Sequence, residues 1–152
     1  RHLRPAPEAP LTEIHIIVGI AVLATNAVAG VWGAVAWLRK DPSVWFWYLL
    51  RAAQAAVVVQ AAIGFVLLAQ GLRAGDSLHP AYGIAPLLIT LVSEGMRVGV
   101  AQRELEDVDV DGLDRAEQVA IARKVALAEM GVMTIGVLMI LTLALRAYQT
   151  GG

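Results

Sequence analysis

Four long apolar stretches, separated by short polar segments, dominate the pattern of hydrophobic and polar positions along the chain. They cover residues 14–38, 44–72, 80–101 and 122–147. A helix needs about 20 predominantly apolar residues to cross the hydrocarbon core of a bilayer, and each stretch reaches that length. Because a backbone in lipid must satisfy its own hydrogen bonds, each stretch is expected to be a transmembrane helix. The pattern predicts an all-α integral membrane protein, an up-down four-helix bundle with short loops.

The composition agrees with a membrane protein. Of the 152 residues, 58% are hydrophobic and 16% are charged, and the mean hydropathy is +0.65. Soluble domains contain about 45–50% apolar and about 25% charged residues, so a disordered chain, a nucleic-acid-binding protein and an ordinary soluble enzyme are excluded. The chain has no cysteine, which excludes disulfides and thiolate metal sites. The expected partners are the lipid bilayer and other membrane protein subunits, without nucleic acid.

Spans one and three each carry a helical face that combines small residues with the few polar ones. On the first span this face contains His15, Gly19, Asn26, Gly30 and Gly33. On the third span it contains His79, Gly83, Pro86, Thr90, Glu94, Arg97 and Ala101. Spacings of three, four and seven residues place these side chains on one side of a helix. Because polar groups are costly in lipid and small residues allow close approach, both faces are predicted to point into the bundle.

Two histidines are predicted to meet at one end of the bundle. His15 lies near the start of span one, and His79 comes directly before the first residue of span three. Spans one and three run parallel in an alternating topology, so both imidazoles lie at the same membrane face. Two inward imidazoles suit axial ligation of one b-type haem, with Gly19 and Gly83 leaving room for the macrocycle. Arg73 or Arg146 is expected to pair with the propionates.

A cofactor-free interpretation of the same histidines stays open. His15 follows Glu13 closely and would then be an interfacial residue, and His79 would belong to the turn formed by residues 75–77. Histidines at the ends of transmembrane spans are common, and neither of these lies deep in its span.

A layer of charged residues is predicted toward the opposite end. It consists of Arg51, Glu94, Arg97 and Glu129. With a rise of about 1.5 Å per residue, all four lie within about 5–10 Å of one membrane face. An unpaired buried charge costs several kcal/mol, so Arg51 or Arg97 is expected to pair with Glu94 and Glu129. The layer is interpreted as a network that fixes helix register, with a proton or cation entry site as the alternative.

Two amide side chains lie near the middle of the membrane. Asn26 is on span one and Gln60 is on span two. We expect both to make hydrogen bonds between helices, although a quinone headgroup is a second possible partner for either.

An acidic segment, residues 102–121, joins spans three and four outside the membrane. Within it, residues 107–112 read Asp-x-Asp-x-Asp-Gly, which is the first half of a calcium-binding loop. The twelfth position of such a loop is a bidentate Glu, and here it is Gln118. A solvated acidic turn followed by an N-terminal helix cap is therefore favoured over a calcium site.

The placement of the two histidines resembles that of the four-helix haem-binding modules of membrane cytochromes, and the chain is similar to one half of heme A synthase. The segment 78–84, Leu-His-Pro-Ala-Tyr-Gly-Ile, carries the resemblance in span three. It implies paired axial histidines at one membrane face, His15 and His79, holding haem b. His15 is followed by two isoleucines rather than the family's arginine, and the chain has one four-helix unit rather than two. Synthesis of heme A is therefore not implied.

The sequence accordingly predicts a small haem-binding protein for electron transfer or haem handling in a respiratory chain. The alternatives are a cofactor-free accessory or scaffold subunit of a larger membrane complex, and a small proton-coupled transporter. No hydrolase, phosphate-loop or di-iron motif is present in the sequence. A free-standing enzyme is therefore not expected.

The distribution of Lys and Arg predicts the orientation of the helices in the membrane. The connections between spans one and two and between spans three and four contain Arg39, Lys40, Arg103, Arg115, Arg123 and Lys124. The opposite side contains Arg1, Arg4, Arg73 and Arg146. The larger set is expected in the cytoplasm, which places both termini outside a bacterial cytoplasmic membrane.

Overall fold

The computed structural model describes residues 10–151, except for the side chain of Asp111, and this part of the chain is helical without strands. The helices are α1 (Pro10–Leu38), α2 (Val44–Ala69), α3 (His79–Leu105) and α4 (Arg115–Thr150), with a short 3₁₀ helix at Val110–Gly112. All four α-helices are long and apolar enough to span a membrane. The predicted all-α, four-helix fold is confirmed. Arg1 and Arg4, on which the predicted orientation partly depends, lie outside the described residues.

The connection between α3 and α4 is shorter than the acidic segment 102–121. Helix α3 continues to Leu105 and α4 begins at Arg115, so residues 106–114 form the connection. With 36 residues, α4 is about 54 Å long, which exceeds the hydrocarbon thickness of a bilayer. Its first turns therefore extend past the apolar core. There Arg123 donates a hydrogen bond of 2.8 Å to the carbonyl of Lys40, in the α1–α2 connection.

The start of α4 is fixed by a capping box. The Asp114 carboxylate accepts a hydrogen bond of 2.9 Å from the backbone N–H of Glu117, whose carboxylate accepts one of 3.0 Å from the N–H of Asp114. This reciprocal arrangement satisfies two backbone donors that a helix start otherwise leaves free. The expected N-terminal helix cap is confirmed at Asp114.

Packing between the helices is uneven. Helix α1 packs against α2 and α4, and α3 packs mainly against α4, whereas α2 and α3 touch at few points. One apolar cluster lies around Phe46, Leu50 and Met133, and a second lies around Val57 and Ile140. The α2–α3 seam is thus the loosest of the four sides.

Several glycines allow close approach between helices, and Gly33 and Gly131 are two of them. At Gly33 a β-carbon would collide with Thr134 of α4 and with the ring of Phe46 of α2. At Gly131 of α4 a β-carbon would lie 2.8 Å from the indole of Trp37. Small residues at helix crossings are typical of bundles in lipid, where packing rather than the hydrophobic effect drives association.

Candidate functional site

The two histidines lie together at the end of the bundle where α1 and α3 begin. The centroids of the His15 and His79 rings are 6.2 Å apart, and the ring planes meet at 68°. His15 is in the second turn of α1, and His79 is the first residue of α3. Asp76 orders the turn before α3, since its carboxylate accepts a hydrogen bond of 2.8 Å from the backbone N–H of Leu78. The predicted juxtaposition of the imidazoles is observed.

The end of α4 orients the His79 ring. Its Nδ1 lies 3.0 Å from the carbonyl oxygen of Ala147 and 3.5 Å from the hydroxyl of Thr150. A carbonyl only accepts, so Nδ1 carries the proton and donates, which leaves the lone pair of Nε2 free. The absence of a side chain at Gly151 lets the ring approach, because a β-carbon there would lie 2.9 Å from His79 Cε1. Metal-binding histidines are commonly held in this way by a backbone carbonyl.

Helix α2 contacts the ring of His15. The side-chain nitrogen of Gln60 lies 3.3 Å from His15 Nε2, and a β-carbon at Gly64 would lie 3.1 Å from Cε1. Two buried atoms, His15 Nδ1 and Gln60 Oε1, have no hydrogen-bond partner. Buried polar atoms are normally paired, so this end of the bundle has unused hydrogen-bonding capacity.

Gly19 and Gly83, the two glycines predicted to leave room for the haem macrocycle, have different surroundings. At Gly83 no atom lies within 4 Å of the position that a β-carbon would take, so the space beside α3 is open. At Gly19 the amide nitrogen of Gln60 would be 3.1 Å away, so the space beside α1 is filled by Gln60.

Sequence reasoning assigned neither Gln60 nor Gly64 to the histidine site. Their spacing of four residues, which places them on one face of α2, is the only signal that the sequence offers.

The separation of the two rings matches that of two imidazoles on opposite sides of one metal ion. Ring nitrogens bind transition metals at about 2.0–2.1 Å, which puts two imidazole centroids about 6 Å apart across one ion. The observed 6.2 Å agrees with that spacing. Within residues 10–151, leaving aside the Asp111 side chain, no group of three or more His, Cys, Asp or Glu side chains is placed to hold a metal ion.

The charged residues form one connected cluster, as predicted. Arg97 donates hydrogen bonds of 2.9 Å to Glu94 and 3.1 Å to Glu129. Arg51 pairs with Glu94 from across the α2–α3 seam. Gln54 adds a hydrogen bond of 2.8 Å to Glu94.

An aromatic residue also joins this charged cluster. The Trp47 ring lies 5.6 Å from the Arg97 guanidinium. The neighbouring Trp45 and Tyr48 are exposed, whereas Trp47 packs edge-on against the buried Phe46.

The charged cluster closes the loosest side of the bundle. It joins α2 to α3 through Arg51 and Glu94, and α3 to α4 through Arg97 and Glu129. Each carboxylate has a guanidinium partner, so the two positive and two negative charges balance. This arrangement supports a role in fixing helix register.

The expected interhelical hydrogen bond is found for Gln60 but not for Asn26. The Asn26 side-chain nitrogen donates a bond of 2.8 Å to the carbonyl of Val22, one turn earlier in the same helix. Its amide oxygen is buried without a partner. The prediction for Asn26 was wrong because the nearest acceptor is the backbone of its own helix.

Four membrane-length helices, with apolar side chains such as Ile17 and Phe65 exposed on the outside, define an integral membrane protein of the four-helix-bundle class. Comparison of the chain with protein-family models, with curated proteins and with solved structures finds no match.

Proposed function

We propose that this protein binds one b-type haem between His15 and His79 and serves in electron transfer or haem handling. The observation that carries the proposal is the 6.2 Å separation of the two imidazole centroids on parallel helices. The resemblance to one half of heme A synthase supports the same assignment. Bound haem would supply one-electron oxidation and reduction at its iron.

The residues around the pair have distinct parts in this proposal. Ala147 fixes the His79 ring with Nε2 available as a ligand, and Gly83 leaves space beside it. Gln60 is the group that must turn away from His15 Nε2 before that atom can bind iron. Arg73 and Arg146 are exposed at the same end and are available to pair with propionates.

We further propose an orientation for the histidine end, supported by the Lys and Arg distribution. The positive-inside rule assigns the α1–α2 and α3–α4 connections to the cytoplasm. The proposed haem site then lies near the outer face of a bacterial cytoplasmic membrane, with the charged cluster toward the cytoplasm.

A second candidate function is a cofactor-free accessory subunit of a larger membrane complex, with other membrane subunits as partners. The charge-balanced cluster of Arg51, Glu94, Arg97 and Glu129 favours it, since such a network stabilises a bundle without any chemistry. Proton-coupled transport has less support because both acids of the cluster are paired.

Absorption spectroscopy of the detergent-purified protein tests the proposal. Protein from haem-replete cells should show a Soret band, and reduction with dithionite should sharpen its α and β bands. His15→Ala and His79→Ala should each lose the reduced spectrum of the six-coordinate haem. Ile17→Ala is the matched control, because that side chain lies at a similar depth on α1 and is 66% exposed.

Three results separate the candidates. Bands in the wild type and in Ile17→Ala, lost in both histidine variants, support bis-histidine ligation. Bands that persist unchanged in either histidine variant exclude that ligand pair. Colourless wild-type protein that is folded and monodisperse contradicts haem binding and leaves the accessory-subunit function.

A further inference from the structure

A small, partly open and mostly apolar cavity lies in the bundle beside the charged cluster, between the two apolar clusters. Its volume is about 10 Å³. A water molecule needs about 10–15 Å³ measured in this way, so the cavity has room for one. Its polar lining comes from three helices: Asn26 of α1, Gln54 of α2, and Thr90 and Ser93 of α3.

Asn26, one of the residues that line this cavity, has an unpaired acceptor. The residue is 0% exposed, and its amide oxygen has no partner while its nitrogen is bonded to Val22. Leaving such an acceptor unpaired in an apolar interior is costly, and buried polar groups nearly always find a protein or water partner. No donor within the described part of the chain reaches this oxygen, so the cost remains unless a small donor enters the cavity.

The other lining residues have the bonding capacity that a water molecule requires. Gln54 uses one N–H on Glu94, at 2.8 Å, and retains a second. Thr90 donates to the carbonyl of Pro86 at 2.9 Å, so its oxygen can still accept. With the Asn26 acceptor, three partners are available, the number that a buried water usually has.

We propose that this cavity is a binding site for one structural water molecule. The water donates to the Asn26 oxygen and to the Thr90 hydroxyl, and it accepts from the Gln54 amide. It thereby bonds α1 to α2 and α3 at the centre of the bundle, and it extends the hydrogen-bond network of Glu94 to the membrane interior. The site is independent of whether haem binds.

A single-residue label tests this site, because Asn26 is the one asparagine in the chain. Protein labelled with ¹⁵N-asparagine in lipid nanodiscs should show a cross-peak between the Asn26 side-chain NH₂ and the water resonance. A rotating-frame experiment separates this transfer from proton exchange by its sign. No such peak from the folded wild type overturns the proposal.

Two neighbouring valines provide the variant and its control. Val57 is 3% exposed and lines the cavity, so Val57→Ile should fill the space and abolish the peak. Val58 is 52% exposed toward lipid, so Val58→Ile should keep the peak. A peak that persists at full intensity in Val57→Ile overturns the assignment of the water to this cavity.

A second variant covers the case in which Val57→Ile does not fold. Thr90→Val conserves shape and removes one partner of the water, so the peak should weaken or disappear. Full intensity in Thr90→Val would contradict the proposed contact with Thr90.

Discussion

Replacing Gly33 with alanine is expected to lower the free energy of unfolding by about 1–2 kcal/mol. A β-carbon at this position would collide with Thr134 Oγ1 and with the Phe46 ring. Thr134 is 1% exposed and Phe46 is 0% exposed, so neither has free space to move into. Overpacking of this kind costs about 1–3 kcal/mol and sometimes more, which outweighs the gain of about 1 kcal/mol in helix propensity.

Gly95→Ala is the matched control for Gly33→Ala. No atom lies within 4 Å of a β-carbon at Gly95 of α3, so alanine adds no clash there. Its effect should have the opposite sign, a stabilisation of up to about 1 kcal/mol from helix propensity. Reversible unfolding in mixed detergent micelles measures both variants. Equal effects at the two glycines would contradict the close packing of α1 against α2 and α4.

Replacing Glu94 with glutamine is expected to lower the free energy of unfolding by about 2–3 kcal/mol. Glu94 is the only carboxylate that Arg51 contacts within the described chain, and it also binds Arg97. Glutamine keeps the shape but removes the charge, which leaves the two arginines with one carboxylate between them. Breaking a buried ion pair costs about 3–5 kcal/mol, and the 26% exposure of the Glu94 side chain reduces that cost.

A surface ion pair provides the comparison for Glu94. Glu104 pairs with Lys124 at 2.7 Å, and the lysine side chain is 70% exposed. Glu104→Gln should therefore change the free energy of unfolding by less than about 1 kcal/mol. Both variants are measured by the same micelle unfolding assay. An effect at Glu94 no larger than that at Glu104 would show that the charged cluster does not close the α2–α3 seam.

The fold was predictable because the relevant signals are local. Each span exceeds the length that a bilayer requires, and the three-and-four spacing on spans one and three indicates which faces turn inward. The same spacing, with parallel spans, was enough to bring His15 to His79. Matched depth along the helices was likewise enough to pair Arg97 with Glu94 and Glu129.

The contacts that could not be predicted depend on how each helix is rotated about its own axis and on the distances between helices. The spacing of Gln60 and Gly64 places them on one face of α2, but it does not indicate that this face meets His15. The bond from His79 to the Ala147 carbonyl joins backbone and side chain across 68 residues. The Asn26 prediction was wrong because its side chain can bond either to a carbonyl of its own helix or to a group on another helix. Which of the two it uses depends on the distance between the helices.

Electron paramagnetic resonance of the ferric wild-type protein tests the haem assignment most directly. Two imidazoles on one iron, as the 6.2 Å ring separation suggests, should give a low-spin signal with both axial positions filled by histidine. The control sample, His79→Ala, should lose this signal. A high-spin haem signal alone, or folded protein that contains no haem iron, would contradict ligation by His15 and His79.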